Sequence, residues 1–218
     1  LGRYGLSPDK INAILLTHEH EDHIKGAFSF SNKYKVPIYL SYGTFKMCKK
    51  RINDNYDINF NIIESTQSFM INDVEVTPIP VPHDAREPFQ FMFKSNLKSI
   101  AIITDLGFIT NHIIKTIKEI KALVIEFNHD KTMLVDSDYP QSLKNRVAGL
   151  YGHLDNMESI KLLKSINYEG INWIAAAHLS EKNNDDTLVR RLISEATLKD
   201  SESIKVIDQM NGIDWLNV

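Results

Sequence analysis

The stretch LLTHEHEDHIKG, Leu15 to Gly26, places His18, His20, Asp22 and His23 within six positions, directly after an apolar run. Ile11 to Thr17 is short, apolar and β-branched, the pattern of a buried strand, so the cluster sits where a strand gives way to a loop. In an extended or looped segment two histidines two residues apart can converge on one cation, whereas a helix would need i, i+4 spacing. His18 and His20 meet the first condition. Asp22 and His23 add an oxygen and an imidazole displaced along the chain, where a second cation can sit. Burying these groups without a cation would cost about 2 kcal/mol or more per unsatisfied polar group, which makes a metal site the better reading. Glu19 and Glu21 alternate with the ligands and are expected to face solvent or the groups that hold the ligands. Four donors do not complete two coordination spheres, so a two-ion site needs further ligands at later strand ends. His83, Asp105 and His178 are there, each behind an apolar run: PIPVPH, SIAIITD and INWIAAAH.

The remaining pattern reads as one mixed α/β domain over 1–218. A helix is expected over Ile24 to Tyr34, then a strand over Val36 to Leu40, completing a strand–helix–strand unit. Asn59 to Pro82 is strand-like, and prolines at 78, 80 and 82 suggest an edge or an extended exit. Phe89 to Phe93 and Ser99 to Thr104 flank KSNLKS and predict a hairpin. Helices follow over Asn111 to Ile120, after Asn156, and over Asp185 to Glu195, with strands at Ala122 to Phe127 and Ile171 to Ala177. Asp155 or Asn156, and Asp185 or Asp186, are the candidate helix caps. Ile204 to Val218 suggests closing strands around an Asn211-Gly212 turn.

With 25 Lys+Arg against 28 Asp+Glu the net charge is −3, so there is no global field of the kind a dedicated nucleic-acid binder carries. The basic run Lys46, Lys49, Lys50 and Arg51 reads as a solvated helix face in preference to a phosphate track. A single cysteine, Cys48, excludes a disulfide framework and points to a reducing compartment, the cytoplasm. No apolar run approaches the roughly 20 residues that span a bilayer, so no membrane association is expected. His112, on a helix face, is read as structural.

The H-x-H-x-D-H pattern at His18 to His23, with His83, Asp105 and His178 in order behind it, resembles the metallo-β-lactamase-fold superfamily of metallohydrolases. The resemblance implies a four-layer αββα sandwich with the metals at one edge of its two sheets. It implies one ion on His18, His20 and His83, a second on Asp22, His23 and His178, and Asp105 bridging both. In the family a strand and hairpin precede the signature; this chain begins at Leu1 and is expected to lack those first N-terminal strands. Strict β-lactamases generally have no bridging carboxylate and di-iron members often replace the second histidine by glutamate, so Asp105 and His20 argue against both.

Two divalent ions lower the pKa of a bridging water, so hydroxide is available near neutral pH for attack on an ester or phosphoryl centre. Asp22 would orient that hydroxide. VIEFNHD (Val124 to Asp130) and GLYGHLDN (Gly149 to Asn156) are similar to segments of the bacterial YycJ-like branch, exonucleases acting on DNA. That likeness makes His153 a candidate general acid and phosphate binder, with helix capping as its structural alternative, and His129 and Asn156 candidate substrate-binding residues. Where that branch has serine, Asp155 stands here, which would weaken a phosphate contact. Glu126 and Asn128 read as supports for the ligands or as structural residues. The expected function is a metal-dependent phosphodiesterase or DNA exonuclease with zinc, manganese and iron as candidate ions and zinc the first choice. A thiolester or lactone hydrolase with the same metals, and a metal-binding module without turnover, remain the alternatives.

Overall fold

A two-residue strand, β1 (Ile14–Leu15), leads into the histidine cluster. The computed structural model describes residues 1–200, 202–208, 210 and 212–218. These form two compact units: Leu1–Pro80 with Ala85–Phe89, and Val81–Asp84 with Gln90–Val218.

In the first unit two short 3-10 turns, Gly2–Tyr4 and Pro8–Lys10, precede β1. The expected strand from Ile11 is thus shorter, because its upstream end emerges from the turn at Pro8. The helix expected over Ile24 to Tyr34 starts three residues late, as α2 (Ala27–Tyr34) after Gly26, and a separate helical turn, α1 (Glu21–Ile24), comes before it. Strand β2 (Ile38–Ser41) pairs parallel with β1, Ile14 opposite Ile38, as the strand–helix–strand pattern predicts. Helix α3 (Tyr42–Cys48) follows at once, with Ser41 Oγ accepting from the Thr44 amide. Strand β3 (Phe60–Ile63) pairs parallel with β2, giving the order β1-β2-β3. Next, β4 (Phe69–Ile71) and β5 (Val74–Pro80) form an antiparallel hairpin, with Pro78 and Pro80 beyond its paired residues. The apolar faces meet in a core of Leu16, Ile24, Phe28, Ile38 and Leu40, all buried.

The second unit is built on five strands in the order β10-β9-β8-β7-β6. The predicted hairpin is present as β6 (Phe89–Ser95) and β7 (Lys98–Ile103), closed by a two-residue turn with Asn96 at φ 54°. After helix α4 (Asn111–Thr116) comes β8 (Ala122–Glu126), parallel to β7. α4 ends four residues early, because the chain must turn back for the Lys121 amide to reach the Ser99 carbonyl. The segment read as loop contains two helices, α5 (Lys131–Asp136) and α6 (Gln141–Val147). Their signals were Asp130, which caps α5, and Pro140, which sits at the α6 start. Helix α7 (Asn156–Ser165) is capped by Asp155 and α8 (Asp186–Thr197) by Asp185. Strands β9 (Trp173–Ala177) and β10 (Ile204–Val206) continue the parallel run, and β9 is buried throughout. Of the expected closing turn, Asn211 lies outside the described residues, while the Gly212 amide donates to the Asp208 carbonyl at 3.1 Å.

The parallel strands β7, β8 and β9 all point their carboxyl ends the same way, and such ends are where α/β sheets bind ligands. Among the described residues no helix is long and apolar enough to cross a membrane. Leu40, fully buried in the first unit's core, tests how far that unit rests on the packing beneath the signature. Leu40→Ala is expected to lose about 3 kcal/mol, measured by urea denaturation.

Candidate metal centre

In the first unit the Thr17 side chain organises the signature. Its Oγ1 lies 2.9 Å from His18 Nδ1 and 3.2 Å from His23 Nδ1. His18 Nε2 and His20 Nδ1 face each other at 3.0 Å, and the His18 and His23 rings stand 4.1 Å apart. His18 and His20 precede α1, with His20 extended, but Asp22 and His23 ride on α1 rather than in a loop. That turn brings His23 Nε2 to 3.5 Å from Asp22 Oδ2. The alternating glutamates hold the loop: Glu19 Oε1 accepts from the Arg86 amide, and Arg51 donates to the Glu19 carbonyl and the Glu21 carboxylate.

In the second unit Asp105, Glu126, His153 and His178 each offer a ligand-type atom within 4.8 Å of the others. Asp105 follows β7, Glu126 ends β8 and His178 follows β9, so three neighbouring parallel strands deliver them. Asp105 at φ 55° and His178 at φ 58° both adopt left-handed backbone, which costs about 1–3 kcal/mol each and recurs at functional sites.

Glu126 is fully buried, and its carboxylate accepts from four donors. Oε1 takes His178 Nδ1 at 2.6 Å and His153 Nδ1 at 2.9 Å; Oε2 takes the Leu154 amide at 3.0 Å and the Leu106 amide at 3.4 Å. Burial pushes its pKa up, but the bonds from His153 and His178 outweigh that and bring it down to about 2. An ionised carboxylate only accepts, so both histidines must carry a proton on Nδ1.

His83 is set the same way, with Nδ1 3.1 Å from the Gly152 carbonyl. Gly152 is required there: a Cβ would lie 2.2 Å from the Arg146 and Val147 carbonyl oxygens. Burial, ahead of the opposing Asp105 charge, lowers the His83 pKa and favours the neutral ring a cation needs. Nδ1 tied to an oxygen is the usual state of a metal-ligating histidine, and the His83 Nε2 lies 3.4 Å from Asp84 Oδ1. On this observation the donor chemistry fits a divalent ion, and His83, Asp105 and His178 are residues of the second unit that could hold one.

The remaining candidates are placed differently. Asp155, not His153, caps α7, so the capping alternative for His153 falls away. Asp155 also pairs with Lys131 at 3.0 Å. His129 is buried, with Nδ1 3.2 Å from Asn128 Oδ1 and its carbonyl accepting the Asn156 amide. Burial holds the His129 pKa down. Asn156 exchanges two side-chain hydrogen bonds with Asn184, each 2.9 Å. A cleft of about 380 Å³ adjoins His178, lined by Leu179, Ser180, Asn184, Ile207 and Asp208 among others. Sequence reading missed Thr17 and Gly152. Thr17 had the signal of standing directly before the signature, while Gly152 had none, since its role depends on a carbonyl brought from another loop.

Comparison with known proteins agrees with this chemistry. A family model described as "Beta-lactamase superfamily domain" matches residues 3–171. An exodeoxyribonuclease YycJ of Bacillus anthracis is 33% identical over 198 residues, covering 87% of this chain and 72% of its own. An exodeoxyribonuclease WalJ of Streptococcus pneumoniae is 28% identical, covering 84% of this chain and 69% of its own. The metallo-β-lactamase fold protein YhfI of Bacillus subtilis superposes with a TM-score of 0.72 at 15% identity, covering 98% of this chain and 82% of its own. The expected fold class is thereby met.

Removing the Glu126 charge should loosen both imidazoles. Glu126→Gln is expected to weaken divalent-metal affinity about 10- to 100-fold, read by competition with a chromogenic chelator. The sign of the pH effect follows from the depressed pKa: Glu126 contributes stability above pH 4.5 that is lost as the pH falls towards 2. Denaturation midpoints across that window should fall for the wild type and change less for Glu126→Gln.

Proposed function

The chain belongs to the β-lactamase superfamily and is a metal-dependent hydrolase, and from that premise we propose that it cleaves phosphodiester bonds in DNA as an exonuclease. In this reading His18, His20 and His83 hold one divalent ion, and Asp22, His23 and His178 a second. Asp105 serves both, and zinc is the first candidate. The ions would supply an acidified water and positive charge against the negative charge developing on the phosphoryl oxygens.

The chain's own residues do the rest. Asp22 orients the attacking oxygen as the new O–P bond forms. His153 acts here as the imidazolium: its Nδ1–H stays on Glu126 while its Nε2 proton passes to the leaving sugar oxygen as the old P–O bond breaks, which leaves the ring neutral. His129 and Asn156 act on the substrate through the loop they hold, which carries His153. A single buried thiol, Cys48, supports the reading of a reducing cytoplasm.

The observation that carries this reading is the clamped His153. A sugar alkoxide is a poor leaving group and needs an acid; a thiolate leaves without one, so a dedicated donor favours the phosphodiester over the thiolester. The names of the YycJ and WalJ relatives support DNA as the substrate.

The test is an activity panel of linear DNA, bis-p-nitrophenyl phosphate, a thiolester and a lactone. Asp105→Ala should abolish cleavage of both phosphodiesters. His153→Ala should slow DNA cleavage by about 10²- to 10⁴-fold but spare bis-p-nitrophenyl phosphate, whose leaving group needs no proton. Turnover of only the thiolester or lactone would overturn the nuclease reading.

A further inference from the structure

Beside the signature, the first unit carries a basic strip that the metal chemistry leaves unexplained. Helix α3 and the turn after it expose Lys46, Lys49 and Lys50, and among the described residues none of the three pairs with a carboxylate. Three unneutralised charges in five positions are unusual in a chain whose net charge is −3. Tyr42, one turn before Lys46, is 54% exposed, and the Lys46 ammonium lies 4.9 Å from its ring centroid.

The strip is anchored to the metal loop rather than free to sway. Arg51, at its far end, donates at 3.3 Å to both the Glu19 carbonyl and the Glu21 carboxylate, inside the signature itself. At the near end Ser41 Oγ donates to the Glu87 carbonyl at 2.8 Å, and the Gly43 amide donates to Glu87 Oε2 at 2.6 Å. A Cβ on Gly43 would lie 2.5 Å from Glu87 Cβ and 3.0 Å from Arg86 Cγ, so only glycine lets the helix seat so closely. Arg86, also exposed, joins its aliphatic stem to the same edge.

Lysines spaced along one face, with an exposed aromatic ring among them, are the components of a single-strand track: cations follow the phosphates and a base stacks on the ring. We propose that Tyr42, Lys46, Lys49 and Lys50 bind the single strand of DNA that leads into the metal centre, Arg51 tying that track to the ligand loop. The proposal rests on the nuclease reading and names the surface that holds the substrate. It also revises the solvated-face reading of Lys46 to Arg51: among the described residues no carboxylate pairs with the lysines, whereas Arg51 is spent on the signature.

The test measures binding of a fluorescent oligothymidine with phosphorothioate linkages to the metal-loaded full chain by anisotropy, as a function of salt. Each lysine–phosphate contact on a single strand contributes about 0.7 to the slope of log affinity against log salt. The triple variant Lys46→Gln, Lys49→Gln, Lys50→Gln should therefore lose about 2 from the slope. Tyr42→Ala should weaken binding about tenfold with the slope unchanged. Both variants should hydrolyse bis-p-nitrophenyl phosphate, too short to reach the strip, at the wild-type rate. A triple variant that keeps the wild-type affinity and slope overturns the track and leaves the nuclease reading standing. Wild-type protein that binds no oligonucleotide overturns both.

Discussion

The hydrogen bonds converging on the Glu126 carboxylate are the constraint on which the second unit's chemistry depends. A buried carboxylate costs several kcal/mol unless its lone pairs are filled. Here two imidazoles and two backbone amides fill them. Because Glu126 ends a parallel strand between β7 and β9, the same carboxylate reaches a residue that follows β9 and another in the loop before α7. One ionised group thus sets the tautomer of both His153 and His178, and with it the atom each presents.

This arrangement carries stored cost. Asp105 and His178 are held in left-handed backbone at the ends of neighbouring strands, a conformation that the surrounding hydrogen bonds and the buried sheet must enforce. Gly152 shows the same economy of space, since its carbonyl meets His83 only because no side chain stands in the way. The first unit solves its problem locally. Thr17 addresses two histidines from the residue just before them, and Arg51 fixes the outer face of the loop through Glu19 and Glu21.

Legibility in the sequence followed the range of the interactions. The parallel pairing of β1 with β2, the β6–β7 hairpin and the caps at Asp155 and Asp185 rest on neighbours in the chain, and periodicity and turn chemistry were enough to read them. Helices α5 and α6 were passed over because short helices between histidine-bearing loops show little apolar periodicity, although Asp130 and Pro140 marked their starts. Asp22 and His23 lie on the short helix α1 instead of in a loop, a difference of backbone geometry that residue types cannot express.

By itself the sequence determined the chemistry of the donors: imidazoles and carboxylates behind apolar strands, in an order that only a metal site makes economical. Tertiary structure decided which nitrogen Glu126 and the Gly152 carbonyl hold on His83, His153 and His178, since these partners come from other loops and strands and take Nδ1 in all three. It also separated His153, clamped by a carboxylate, from His129, buried beside Asn128 and Asp155, although both stand as single histidines in polar loops. The physical reason is distance along the chain. Ligand identity is local and survives in the sequence, whereas in the second unit proton position is set by partners tens of residues away that only folding brings within hydrogen-bond reach.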